Sequence, residues 1–145
     1  MKKLYFLFSL TIMSLGLFAQ IDVKKEYPLT YANIAKNAAN EWPDDYTMQK
    51  YVIDQQCKAY NEFKELRASA IVPKDIMTNI MILALKDWCK EDWIKCTDTF
   101  ITKDPNKTSE TSKLEIDAVQ ACWSADWTMI VYVMKQQIEA YNSLK

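Results

Sequence analysis

The sequence predicts an all-α domain of about six helices, paired as three αα-hairpins that form a bundle or a short solenoid-like stack. Three observations predict it. The first is an internal repeat. Trp42–Phe63 (WPDDYTMQKYVIDQQCKAYNEF) returns at a constant offset of 81 as Trp123–Leu144 (WSADWTMIVYVMKQQIEAYNSL), with eleven identities in 22 positions and no gap. Composition alone would give about one or two, and self-similarity of this kind is the mark of a duplicated structural unit. The second is glycine: the chain holds one, Gly16, near its start. A domain without glycine lacks the residue that takes positive φ most readily, which argues against tight hairpins, phosphate-cradling loops and most β architectures. The third is apolar spacing at helical intervals throughout, broken by proline-bearing or polar connections.

The first element is not part of the domain. Met1, Lys2 and Lys3 precede a mainly apolar run, Leu4–Phe18, and then Ala19 and the polar stretch 20–26. This is the layout of a secretory signal peptide of bacterial type, with cleavage expected after Ala19. The expected location is therefore the periplasm or the extracellular space, with no membrane span once residues 1–19 are removed. Loss of Lys2 and Lys3 leaves 16 basic against 19 acidic residues, a net charge of −3 that argues against nucleic acid as a partner. Residues 20–28 read as a flexible leader and 29–145 as one helical domain.

Within the domain, Leu29–Glu41 is an alanine-rich first helix. Trp42-Pro43-Asp44-Asp45 breaks it, and a second helix follows from about Asp44 to Ala68, its two carboxylates near the positive end of the helix dipole. The repeat stripe of that helix is Met48, Val52, Gln55, Ala59 and Phe63. Pro73 starts a third helix, apolar nearly all round over Lys74–Trp88 and so expected to be central. A fourth covers about residues 90–103. Asp104–Thr111 is a loop, and Ser112 with Glu115 makes a capping box for a fifth helix to about Trp123. The sixth, Ala125–Ser143, carries Met129, Val133, Gln136 and Ala140 on the repeat stripe. Ile130, Val131, Met134 and Ile138 lie on its other faces, so it should be more buried than its counterpart.

Cys57, Cys89, Cys96 and Cys122 are an even set in a chain read as exported, which suggests disulfides. Cys89 and Cys122 both fall at helix elbows and are the first choice of pair. Cys96, about one turn inside the fourth helix, competes for either. Cys57 lies down the second helix, without a partner at its level.

Catalytic chemistry is sparse. With no histidine in the chain, the usual neutral-pH base and the commonest metal ligand are missing. No nucleophile–base pair, cofactor motif, haem attachment or metal-ligand spacing stands out, so the expectation is no enzyme, no cofactor and no metal. What the chain does concentrate is aromatic and acidic residues at its elbows: all five tryptophans, Trp42, Trp88, Trp93, Trp123 and Trp127, lie there beside aspartates. The bland account is that each Trp wedges a corner and each Asp caps a helix. The functional account is a binding surface of Trp42, Asp45, Trp93, Trp123 and Asp126, extended by recurring amides that packing does not demand, Gln56, Asn61 and Gln137. Gln55 and Gln136, mid-stripe, are expected to face the core and to find structural partners. Elimination favours an exported, non-catalytic domain that binds another protein in an inhibitory, immunity-type or assembly role. The alternative is a binder of carbohydrate or peptide through the aromatic-acidic elbows, and a third reading is an Asp/Glu acid–base hydrolase.

Overall fold

The computed structural model describes residues 21–89, 93–102 and 122–145. The expected signal peptide, the loop at 104–111 and the capping box of Ser112 with Glu115 lie outside the described residues. Within them the chain is all-α, with no strand: α1 (Val23–Glu26), α2 (Pro28–Glu41), α3 (Tyr46–Ala68), α4 (Lys74–Trp88), α5 (Trp93–Thr102) and α6 (Trp127–Ser143).

The stretch expected to be a flexible leader is folded. Asp22 caps α1, its carboxylate accepting from the amides of Lys24 at 3.0 Å and Lys25 at 3.4 Å. Val23 and Tyr27, four residues apart and hence on one side of the turn, are both buried. These are the buried side chains of a stretch otherwise rich in charge, so its mean composition hides the anchor. Asn61 on α3 ties it down further by donating to the Ile21 carbonyl at 2.7 Å.

Pro28 opens α2, where its missing amide hydrogen is not needed. Thr30, Ile34 and Ala38 recur at intervals of four and are its buried face. The turn at 42–45 contains Asp44 with φ of 67°, a left-handed conformation in a chain expected to avoid positive φ. Aspartate is among the few non-glycine residues that tolerate it. Asp45 then caps α3, accepting from the Met48 amide at 2.9 Å.

At 23 residues α3 is the longest helix among those described, yet it buries only Ala59, Tyr60, Asn61 and Phe63, toward its C-terminal end. Gln55, expected to face the core, is exposed, as is its copy Gln136. One residue on, Gln56 is half-buried and faces α6; a step of 100° around the helix separates the two outcomes. The third helix of the sequence reading, α4, buries Met77, Ile80, Met81, Ala84 and Leu85 against α5 and α6. It is not buried all round, since Asn79 and Leu83 are exposed.

The core is centred on rings. Trp127, the first residue of α6, meets Tyr60 edge-on at 4.9 Å between centroids, Phe63 at 5.1 Å and Phe100 at 6.0 Å. Tyr27 meets Tyr60 at 5.6 Å, also edge-on, so the folded leader is continuous with this cluster. Offset and edge-to-face pairs add about 0.5–1.5 kcal/mol each beyond the area they bury. Trp127 therefore sits where α3, α5 and α6 meet. As expected, α6 is more buried than its counterpart, through Ile130, Val131, Met134 and Ile138, and its repeat-stripe residues Gln136 and Ala140 are exposed.

Cys122 bonds to Cys96, with Cα atoms 5.1 Å apart, and not to Cys89. Such a separation is ordinary for a disulfide. Cys96 shares the inward face of α5 with Phe100, one turn on, which turns its sulfur toward the segment entering α6. Cys89 is buried close by, outside the disulfide, and Cys57 is a half-buried thiol on α3. Burial pushes the Cys57 thiol up to about 11, with the carboxylates of Asp54 and Asp22 adding to the shift.

Candidate functional site

The elbow at 122–126 is held by three helices at once. Asn33 and Asn37, one turn apart on α2, both donate their side-chain amides to the Trp123 carbonyl, at 3.0 and 2.7 Å. Gln56 of α3 reaches it twice: its Nε2 donates to Asp126 Oδ1 at 2.9 Å and its Oε1 accepts the Trp127 amide at 2.8 Å. From the end of α4, the Trp88 carbonyl accepts the Asp126 amide at 3.0 Å and the Cys89 carbonyl accepts the Ser124 hydroxyl at 3.3 Å. Asp126 itself caps α6 through the amides of Thr128 at 3.1 Å and Met129 at 3.2 Å. The Gln56 bond therefore ends on a carboxylate already charged with satisfying a helix terminus, and charge-assisted bonds of this kind are the stronger sort.

These ties frame an open cleft of about 620 Å³ between α2, α3, the end of α4 and the elbow. Trp88, half-buried, and Trp123, 47% exposed, line it. So do Glu41, Asp87 and Asp126, and none of the described residues that line it is basic. A pair of indoles beside three carboxylates is the chemistry that attracts a cationic group, by ring quadrupole and by charge.

Of the residues expected to form a binding surface, Trp123, Asp126 and Gln56 meet here. The others do not. Trp42 is half-buried, its Nε1 buried without a partner among the described residues, and its carbonyl accepts from Gln49 at 2.8 Å. Asp45 caps its helix, Trp93 packs against the core beneath Lys86, and Asn61 serves the folded leader. Gln137 is exposed on α6 and does not line the cleft. The elbows thus do not make one continuous aromatic face, because Trp127 is spent in the core and the turn at 42–45 points its aromatic elsewhere. Sequence reading missed Asn33, Asn37, Glu41 and Asp87, and it placed Trp88 at an elbow without including it in the binding surface. The i, i+4 asparagine pair on α2 was a visible signal, since two amides on one helical face need a shared acceptor or solvent.

Comparison with protein-family models, with curated proteins and with solved structures finds no match for this chain.

Proposed function

We propose that this protein is an exported, non-catalytic helical domain that binds another protein, and that it does so by seating a basic side chain of the partner in the cleft between Trp88 and Trp123. The observation that carries this reading is the cleft's make-up: two indoles and three carboxylates, with no basic residue among the described residues that line it. A lysine or arginine placed there gains cation–π contact and opposite charge together. The elbow's backbone is fixed by bonds from α2, α3 and α4, so the Trp123 wall is positioned before binding, which lowers the ordering cost of association. Export rests on the basic-then-apolar start and Ala19.

The experiment is a fluorescence titration of the oxidised protein with short peptides that differ only in carrying Arg, Gln or Glu at one central position. The reading expects saturable quenching by the Arg peptide alone, weakened by salt. Trp123→Ala should reduce affinity by about 30-fold, the size of a small binding hot spot. Equal response to the Arg, Gln and Glu peptides, or an unchanged affinity in Trp123→Ala, overturns it.

A further inference from the structure

Behind the cleft wall lie three sulfurs that share one bond. Cys89, Cys96 and Cys122 are each at most 1% exposed, and their sulfur atoms all fall within 4.8 Å of one another. The disulfide joins Cys96 of α5 to Cys122 of the elbow. Cys89, at the end of α4, is thus placed beside both bonded sulfurs. We propose that this cluster is a thiol–disulfide exchange site, in which the bond migrates between Cys96–Cys122 and a pairing that includes Cys89.

The step is an internal displacement. The Cys89 thiolate attacks Cys122 Sγ, a Cys89–Cys122 bond forms, and the Cys96–Cys122 bond breaks with its electron pair leaving on Cys96. The proton that left Cys89 ends on Cys96. Cys89 is oxidised as Cys96 is reduced, so the step has no net redox change and requires no outside oxidant or reductant. The backbone already brings the two ends together: the Ser124 hydroxyl donates to the Cys89 carbonyl, and the Asp126 amide donates to the Trp88 carbonyl. The end of α4 and the elbow are therefore in register for a covalent link between them. Attack on Cys96 Sγ is the mirror alternative, forming Cys89–Cys96 and releasing Cys122.

The position of the cluster gives the exchange a consequence. Cys89 follows Trp88 and Cys122 precedes Trp123, and these are the two indoles of the cleft. In one pairing the elbow is tied to α5; in the other, the two cleft walls are tied to each other. That consequence for binding rests on the reading of the cleft as a binding site, whereas the exchange itself does not.

The test is disulfide mapping of the full oxidised chain. The protein is incubated with a trace of a small monothiol, quenched in acid, alkylated under denaturing acidic conditions and digested without reduction, and the linked peptides are identified by mass spectrometry. The expected result is Cys96–Cys122 together with a Cys89-containing pair in the same oxidised sample. Cys96–Cys122 as the sole linked pair, with Cys89 fully alkylated, overturns the inference. A Cys96→Ser chain is expected to form Cys89–Cys122 and to keep cooperative unfolding. Recovery of Cys89 and Cys122 both alkylated from a cooperatively folded Cys96→Ser chain likewise overturns it. Neither readout involves a ligand, so failure of the peptide titration leaves this result standing, and the reverse.

Discussion

The two copies of the repeat share eleven residues and almost none of their surroundings. Tyr60, Ala59 and Asn61 of the first copy are buried; at the same positions of the second, Tyr141 is half-buried and Ala140 and Asn142 are exposed. Conversely, Trp127, Ile130, Val131 and Met134 of the second copy are buried, where the first has exposed Tyr46, half-buried Gln49, exposed Lys50 and half-buried Ile53. One copy buries the end of its helix and the other the beginning. The lesson is that the shared letters do not by themselves specify the core: α6 buries only positions at which the copies differ, whereas three of the four residues that α3 buries are shared and lie unburied in the second copy, so the two helices meet on unlike faces. Gln56 and Gln137 show the same split, one latched to the elbow and the other in solvent.

That contrast can be broken most forcefully at its largest asymmetry. Trp127→Ala should destabilise the domain by about 3–5 kcal/mol, because it empties the point where three helices meet. Tyr46→Ala, at the matching position but 76% exposed, should stay within about 0.5 kcal/mol of the parent. Urea unfolding followed by circular dichroism measures both. Equal losses would mean that the copies are equivalent after all.

Next in size is the amide pair. Gln56→Ala removes both partners that it offers the elbow and should cost about 1–3 kcal/mol, against little for Gln137→Ala. The caps come third, and here the copies share the role but not its size. Asp45→Ala should lose about 1 kcal/mol, the usual value of an N-cap. Asp126→Ala should lose more, since its carboxylate serves Gln56 as well as two α6 amides. The smallest effect is chemical. Ile138 is buried where the first copy has Cys57, whose thiol is held up at about 11 from an ordinary 9.0. At pH 8 its alkylation by iodoacetamide should be slower than that of a small free thiol by about tenfold or more, the fall in thiolate being partly offset by its greater nucleophilicity. The sign for stability follows. A raised folded value favours the protonated thiol, so stability is unaffected well below pH 9 and falls as pH rises from 9.0 toward 11. Cys57→Ala should flatten that fall.

Much of the architecture was legible in the sequence. Pro43 with Asp45, and Asp126 in the second copy, announced to within two residues where α3 and α6 begin, because a cap is a local property of a few residues. The greater burial of α6 was legible from its extra apolar faces. Which face of α3 turns inward was not. The stripe through Gln55 and the row through Gln56 differ by one residue, and the choice is made by what α6 offers across the gap. The leader was misread for a related reason: Val23 and Tyr27 become an anchor only once Tyr60 and Asn61 are there to receive them. The disulfide was misassigned because Cys89 and Cys96 both come within 4.8 Å of Cys122, and sequence level along a helix does not separate two sulfurs a few ångströms apart. The cleft depended on a partner 86 positions distant, Asn37 with Trp123, which no local pattern encodes.

The place of Trp127 also bears on how the chain assembles as it is made. Its ring contacts join α6 to Tyr60 and Phe63, and its amide is claimed by Gln56, 71 positions earlier. A nascent chain that has emerged only as far as α5 lacks the residue that its other aromatic rings surround. Closing the core therefore waits for α6 and for a contact made across 71 positions. Until α6 arrives, Tyr60, Phe63 and Phe100 lack the ring that they surround, so the segment that completes the core is also the last described helix to be made.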